Sequence, residues 1–204
     1  MEIVTTIGFE WKQQAIEALA RGELVAFPTD TVYGLGADAF NDRAIRNLYL
    51  AKDRSQEKAI PVLVANLEQF VDIVDRTTLP AMRLVEKFWP GPVTIVLRQA
   101  SALSGEISIY GTVGVRIPDH PIAQELLRAA GPLAVTSANR SGDPEACIAE
   151  EIETNMSAQV DLIVDGGRTP GGQPSTVVDC TQDPPRILRV GPISEEEIRS
   201  VLLP

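Results

Sequence analysis

The segment from Glu23 to Lys58 runs ELVAFPTDTVYGLGADAF and then, past a short amphipathic stretch, delivers Lys52 and Arg54 in LAKDRSQEK. Hydroxyls, glycines and two cations brought together suit a small polar substrate held beside a phosphate group. Three further stretches have the same character: TVGVRIPDHP with Thr112 and Arg116, VTSANRSG with Ser137 and Asn139, and QPSTVVD…ILRVG with Ser175 and Arg189. None supplies an obvious general base. A set of hydroxyls, an amide and cations fits chemistry driven by positioning and charge stabilisation, in which the nucleophile is already anionic and needs no proton removed.

Familiar nucleotide and nucleophile motifs fail on inspection. Gly34-Leu35-Gly36-Ala37-Asp38-Ala39 matches GxGxxA, yet that fingerprint needs a strand directly before it and a helix opening within it. Here the strand is expected to end at Pro28 and the next helix to begin near Asn41. No GxxxxGK[ST] or GxSxG occurs. His120, the sole histidine, lies between Asp119 and Pro121, where a local turn or cap contact is expected. Cys147 and Cys180 are far apart with no CxxC, so neither a metal site nor a disulfide is expected.

The elements that must position these residues follow from periodicity. Trp11, Ala15, Ala18 and Leu19 mark an amphipathic helix feeding the buried strand ELVAF, and Thr29 to Phe40 reads as a Thr/Gly-rich loop. A second helix starts near Asn41, turns Ile45, Leu48 and Tyr49 inward and ends around Lys52. AIPVLV reads as a short strand that Pro61 places at an edge or irregular position, and Asn66 caps a short helix through Phe70. A helix over 79–88 stops at Trp89-Pro90-Gly91-Pro92 before VTIVL. Then come strand TVGVRI, helix IAQELLRAA, strand LAVT, an acidic helix near 149–156, and strands DLIVD, STVVDC and RILRV. A closing helix carries the capping box Ser194 and Glu197. The mixture predicts one α/β domain over residues 1–204, a twisted mixed sheet flanked by helices.

At 44% hydrophobic residues a chain of 204 can bury one good core. No apolar run approaches the roughly 18 residues of a membrane span, and the amino terminus lacks a signal pattern, so the cytoplasm is the expected location. Net charge is −10, and 143–167 holds seven acids with no Lys or Arg, read as a solvated acidic face. Such a balance opposes binding to nucleic acid phosphates.

The four stretches together, in this order and over nearly the whole chain, resemble the YrdC family of threonylcarbamoyl-adenylate synthases. The family pairs K-x-R with S-x-N, here Lys52-Asp53-Arg54 and Ser137-Ala138-Asn139. The resemblance implies an enzyme that joins L-threonine, bicarbonate and ATP into threonylcarbamoyl-AMP, releasing pyrophosphate, for tRNA threonylcarbamoyladenosine. It implies Thr29, Arg116 and Ser175 at threonine, with Arg116 on its carboxylate. Lys52, Arg54, Thr112, Ser137, Asn139 and Arg189 fall to the nucleotide, with Lys52, Arg54, Ser137 and Asn139 at the reacting phosphate. Magnesium is expected mostly on the nucleotide. A tRNA-modifying partner enzyme would receive the product, with weak or no direct tRNA binding. Tyr33, Gly34 and Gly36 are expected to shape the pocket floor, and Gly166, Gly167, Gly171 and Gly172 to form a lid. Two departures stand out: the histidine many members carry in the strand after the basic motif is absent from Ala59–Val64, and the chain resembles the family's short form. Two other readings are a carbamoyl-transfer module of hydrogenase-maturation type and a non-catalytic RNA-binding module.

Overall fold

The computed structural model describes residues 1–8, 10–171 and 173–202. One sheet runs through them, built in chain order from β1 (Glu2–Thr5), β2 (Val25–Pro28), β3 (Tyr33–Asp38), β4 (Val62–Leu63), β5 (Val93–Arg98), β6 (Thr112–Arg116), β7 (Leu133–Ser137), β8 (Leu162–Asp165), β9 (Thr176–Asp179) and β10 (Arg186–Arg189). Its spatial order is β1-β8-β2-β3-β7-β4-β6-β5-β9-β10. Parallel pairs (β1 with β8, β8 with β2, β4 with β6, β5 with β9) mix with antiparallel ones, as the sequence predicts. The helices are α1 (Glu10–Ala20), α2 (Asp42–Ala51), α3 (Leu67–Ile73), α4 (Leu79–Phe88), α5 (Pro121–Ala130), α6 (Ala149–Met156) and α7 (Glu195–Leu202).

Strand alternation sorts the core into two layers. Val25 and Phe27 of β2 join Trp11, Ala15 and Leu19 of α1 and Leu126 and Leu127 of α5 on one face. Leu24 and Ala26 point the other way, into the larger cluster with Ile45 and Leu48 of α2, Leu84 of α4, Ile152 of α6 and Ile198 of α7. Beyond β4 the first face loses its helical cover. There Val93, Ile95 and Leu97 of β5 are buried in the larger cluster, while Thr94 and Val96 look into an open cleft.

Helix ends follow their capping chemistry. Asn41 Oδ1 accepts from Ala44 N at 3.1 Å, Asn66 Oδ1 from Gln69 N at 2.9 Å, and Ser194 and Glu197 close their reciprocal box. His120 precedes α5 without a side-chain cap bond, and its buried Nδ1 has no partner among the described residues. The expected cap contact is therefore made by the backbone alone, with Gln124 N donating to His120 O at 2.9 Å.

Three expectations need correction. Tyr33–Asp38 is no loop but β3, antiparallel to β2 and to β7. Glycine suits it because neighbouring side chains lean over the backbone: a Cβ on Gly34 would lie 2.6 Å from Val135 Cγ1. β4 is not at an edge; Val62 and Leu63 pair with both β7 and β6, and Pro61, just outside, accepts from Val135 N with its carbonyl. The acidic stretch is not wholly a solvated face, because Glu145 lines the cleft.

Candidate active site

The open face of the sheet forms a cleft of about 520 Å³. Of the residues expected to act, Thr29, Arg54, Thr112, Arg116, Ser137, Ser175 and Arg189 line it. All four stretches therefore meet in one cavity, although β3, β6, β7 and β9 lie far apart in sequence. Lys52 and Asn139 do not line it; they stand directly behind Ser137.

The turn after α2 explains how adjacent cations take different places. Lys52 caps the helix, Asp53 has φ 49°, Asp53 N donates to Leu50 O at 3.1 Å and Arg54 N to Tyr49 O at 3.0 Å. These are the paired bonds of a Schellman stop, with Asp53 in the left-handed position usually given to glycine. Reversing the chain there sends Lys52 inward and Arg54 toward the cleft. Lys52 is 2% exposed; its Nζ donates to Ser137 O and, at 2.9 Å, to Asn139 Oδ1. Desolvation first, and then the Arg54 charge, pull its pKa down to about 8, against the opposing pull of Glu145. Asn139 is spent on structure: Oδ1 also accepts from Ser137 Oγ at 2.6 Å, and Nδ2 donates to Asp143 O at 2.7 Å. Lys52 and Asn139 thus orient Ser137. Arg54 donates Nε to Lys58 O and Nη2 to Ala59 O, at 2.9 and 3.0 Å, leaving other N–H groups of its five for the cleft.

Arg116 closes the opposite side. Its guanidinium is buried, 5% exposed, and pairs with Asp30, while Nε donates to Gly91 O at 3.0 Å and Nη1 to Thr31 Oγ1 at 3.3 Å. The Arg116–Asp30 pair is therefore buried rather than a surface ion pair. Burial lowers its pKa and the Asp30 carboxylate opposes that, which keeps the cation charged in a dry setting. Thr29 Oγ1 donates to Val32 O at 2.7 Å, and Thr31 N donates back to it at 3.2 Å, holding the loop after β2. Leu63 pairs in register with Arg116, so the strand that lacks the family histidine offers an apolar side chain there.

Ser175 and Arg189 form one wall. Arg189 Nε donates to Ser175 O at 3.0 Å, and Ser175 Oγ shares a hydrogen bond with Thr94 Oγ1 at 2.8 Å. Behind them Gly191 N donates to Thr176 Oγ1 at 2.9 Å, which itself donates to Ile193 O at 2.6 Å. Only glycine fits at this crossing, because a Cβ would sit 2.2 Å from Pro174 O.

Of the expected floor, Tyr33 and Gly34 line the cleft, whereas Gly36 faces Phe27 instead. The Tyr33 hydroxyl donates to Gly167 O at 2.7 Å, and burial raises its pKa to about 12. Thr169 N and Gly171 N donate to Cys147 O and Thr31 O, so the expected lid is tied down at 167–171; Gly172 lies outside the described residues. Sequence reasoning missed Asp30, Thr94 and Glu145. Asp30 stood inside the quoted motif beside Thr29, while Glu145 was hidden in an acidic run.

A mixed sheet carrying an arginine-lined cleft on its uncovered face defines an α/β protein built to hold small anions. This chain belongs to the Sua5/YciO/YrdC family, whose model, described as telomere recombination, matches residues 17–191. It is 42% identical to a Mycobacterium tuberculosis protein over 92% of this chain and 87% of that one. It is 41% identical to the threonylcarbamoyl-AMP synthase of Bacillus subtilis over 94% of this chain, spanning 56% of that protein. Among solved structures, Pyrococcus abyssi Sua5 complexed with L-threonine superposes with a TM-score of 0.91 at 37% identity, covering 98% of this chain and 60% of that one. No helix among the described residues is long and apolar enough to cross a membrane.

Proposed function

We propose that this chain is an L-threonylcarbamoyladenylate synthase. It condenses L-threonine, bicarbonate and ATP into threonylcarbamoyl-AMP, with pyrophosphate and water leaving, and so serves tRNA threonylcarbamoyladenosine formation. The observation that carries this reading is the convergence of four sequence stretches on one cleft, lined together by Arg54, Arg116, Ser137 and Arg189. Arg116 pairs with the amino acid carboxylate, and Thr29 and Ser175 hold its polar groups. Leu63, beside Arg116, offers apolar contact to the threonine methyl. The carbamate formed from threonine and bicarbonate is already an anion, so its attack on the α-phosphorus needs no base.

Arg54 and Arg189 neutralise charge on the phosphoryl oxygens as pyrophosphate departs, Thr112 and Ser137 hold the nucleotide, and Lys52 and Asn139 fix Ser137 from behind. Magnesium enters on the triphosphate. The described residues hold no group of three or more His, Cys, Asp or Glu that would form a cage, and the cleft offers the single acid Glu145, a donor set suited to a cation arriving with its phosphates. A tRNA-modifying enzyme in the cytoplasm takes up the intermediate.

Relatives named for this activity at about 40% identity favour it over a carbamoyl-transfer module. The net charge of −10 disfavours an RNA-binding role. Purified protein given ATP, magnesium, bicarbonate and L-threonine is expected to release pyrophosphate only when threonine is present. Release at the same rate without threonine, or none at all, overturns the proposal.

A further inference from the structure

Glu145 is the one acidic side chain on a wall that also carries Arg54, Arg116 and Arg189. A carboxylate there repels the phosphates that those cations attract, so alone it weakens the site. It is no ion-pair partner either, since none of the ion pairs among the described residues includes it. Its backbone is fixed from both sides. Asn139 Nδ2 holds Asp143 O, and Cys147 N donates to the Glu151 carboxylate at 2.7 Å. The loop therefore holds on the cleft wall an acid that makes no ion pair.

Its position within the cleft is one-sided. Burial lowers the pKa values of Lys52 and Arg189, and the Glu145 charge works against burial in both. Tyr33 N donates to Ala146 O at 2.9 Å and Asn139 Nδ2 to Asp143 O at 2.7 Å, so the Glu145 loop is fastened beside Ser137, where the proposed function seats the triphosphate.

Resting on that reading, we propose that Glu145 is a direct ligand of the divalent cation carried by the triphosphate. Magnesium is usually held by one or two protein carboxylates, phosphate oxygens and water, and one glutamate facing a gap bounded by phosphate-binding cations meets that need. The same carboxylate repels bare triphosphate and accepts the metal-loaded form. It thereby selects the species that can release pyrophosphate as a neutralised complex.

The test is calorimetric titration of the full chain with ATP, in magnesium and in EDTA, for the wild type, Glu145→Gln and Glu145→Asp. The wild type is expected to prefer the magnesium complex by about tenfold. In Glu145→Gln that preference is expected to vanish, because metal-free ATP tightens while the magnesium complex weakens, and Glu145→Asp should keep part of it. Equal changes with and without magnesium, or no change in either, overturn the metal contact and leave the synthase reading standing. A wild type that binds ATP under neither condition overturns both.

Discussion

Arg54 shows how one side chain serves structure and chemistry together. Two of its donors hold the carbonyls of Lys58 and Ala59, and the rest face the cleft. Arg54→Ala is expected to lower kcat by about 10²–10³ fold, the scale for losing one preorganised donor to a developing charge, while the unfolding free energy from a urea titration shifts by less than about 1 kcal/mol. Steady-state kinetics beside a urea titration separates the two; unchanged kcat removes Arg54 from the site. Lys52 makes a pH prediction. Its folded pKa, about 8, lies below the ordinary 10.5, so between those values the unfolded chain binds more protons and stability rises with pH. Below pH 8 the buried ammonium carries its whole penalty, about 3 kcal/mol. Unfolding free energies measured across that window should show wild type gaining on Lys52→Met as pH rises, and a constant difference would refute the assignment. ATP affinity should fall over the same rise, as the ammonium behind Ser137 loses its charge. Residue types in the four stretches announced most of this site. Asp30 and Glu145 were not legible, because a carboxylate's role depends on which cation faces it, and no spacing rule encodes that.

At the level of elements, the Schellman stop after α2 uses Asp53 where backbone geometry favours glycine. Asp53→Gly is expected to raise stability by up to about 1 kcal/mol in a urea titration without changing kcat, because its side chain is exposed and the left-handed turn is kept. Gly191→Ala should do the opposite. A Cβ forced within 2.2 Å of Pro174 O and 2.6 Å of Thr176 N must push the Ser175 wall aside, so KM for threonine should rise several-fold and stability fall by about 1–3 kcal/mol. A KM equal to wild type would show that the wall tolerates the shift. Helices were legible because caps at Asn41 and Asn66 and apolar periodicity agreed, although α3 runs on to Ile73 past the expected Phe70. Strands were less so. β3 hid behind its glycines, whose meaning depends on Val135 and Phe27 from neighbouring strands, and β1 exposes too much of its length to show alternation.

Across the whole molecule, the mixture of strand and helix patterns predicted a mixed α/β body, but the strand order could not be read. β4, two residues long, joins the two halves of the sheet because β7 and β6 both find its backbone, a long-range pairing that leaves little local trace. The charge balance was legible and yields one more prediction. With a net charge of −10, the protein should not shift tRNA in a gel at up to about 10 μM and near-physiological salt; a clear shift would reopen the RNA-binding reading. The clamp of Gly191 and Ile193 on Thr176 has a temporal consequence as well. During translation Arg116 emerges before this clamp exists, and the Ser175 wall stays unfastened until Gly191 and Ile193 have been made. A fragment cut short before Gly191 would thus carry Arg116 beside an unclamped Ser175.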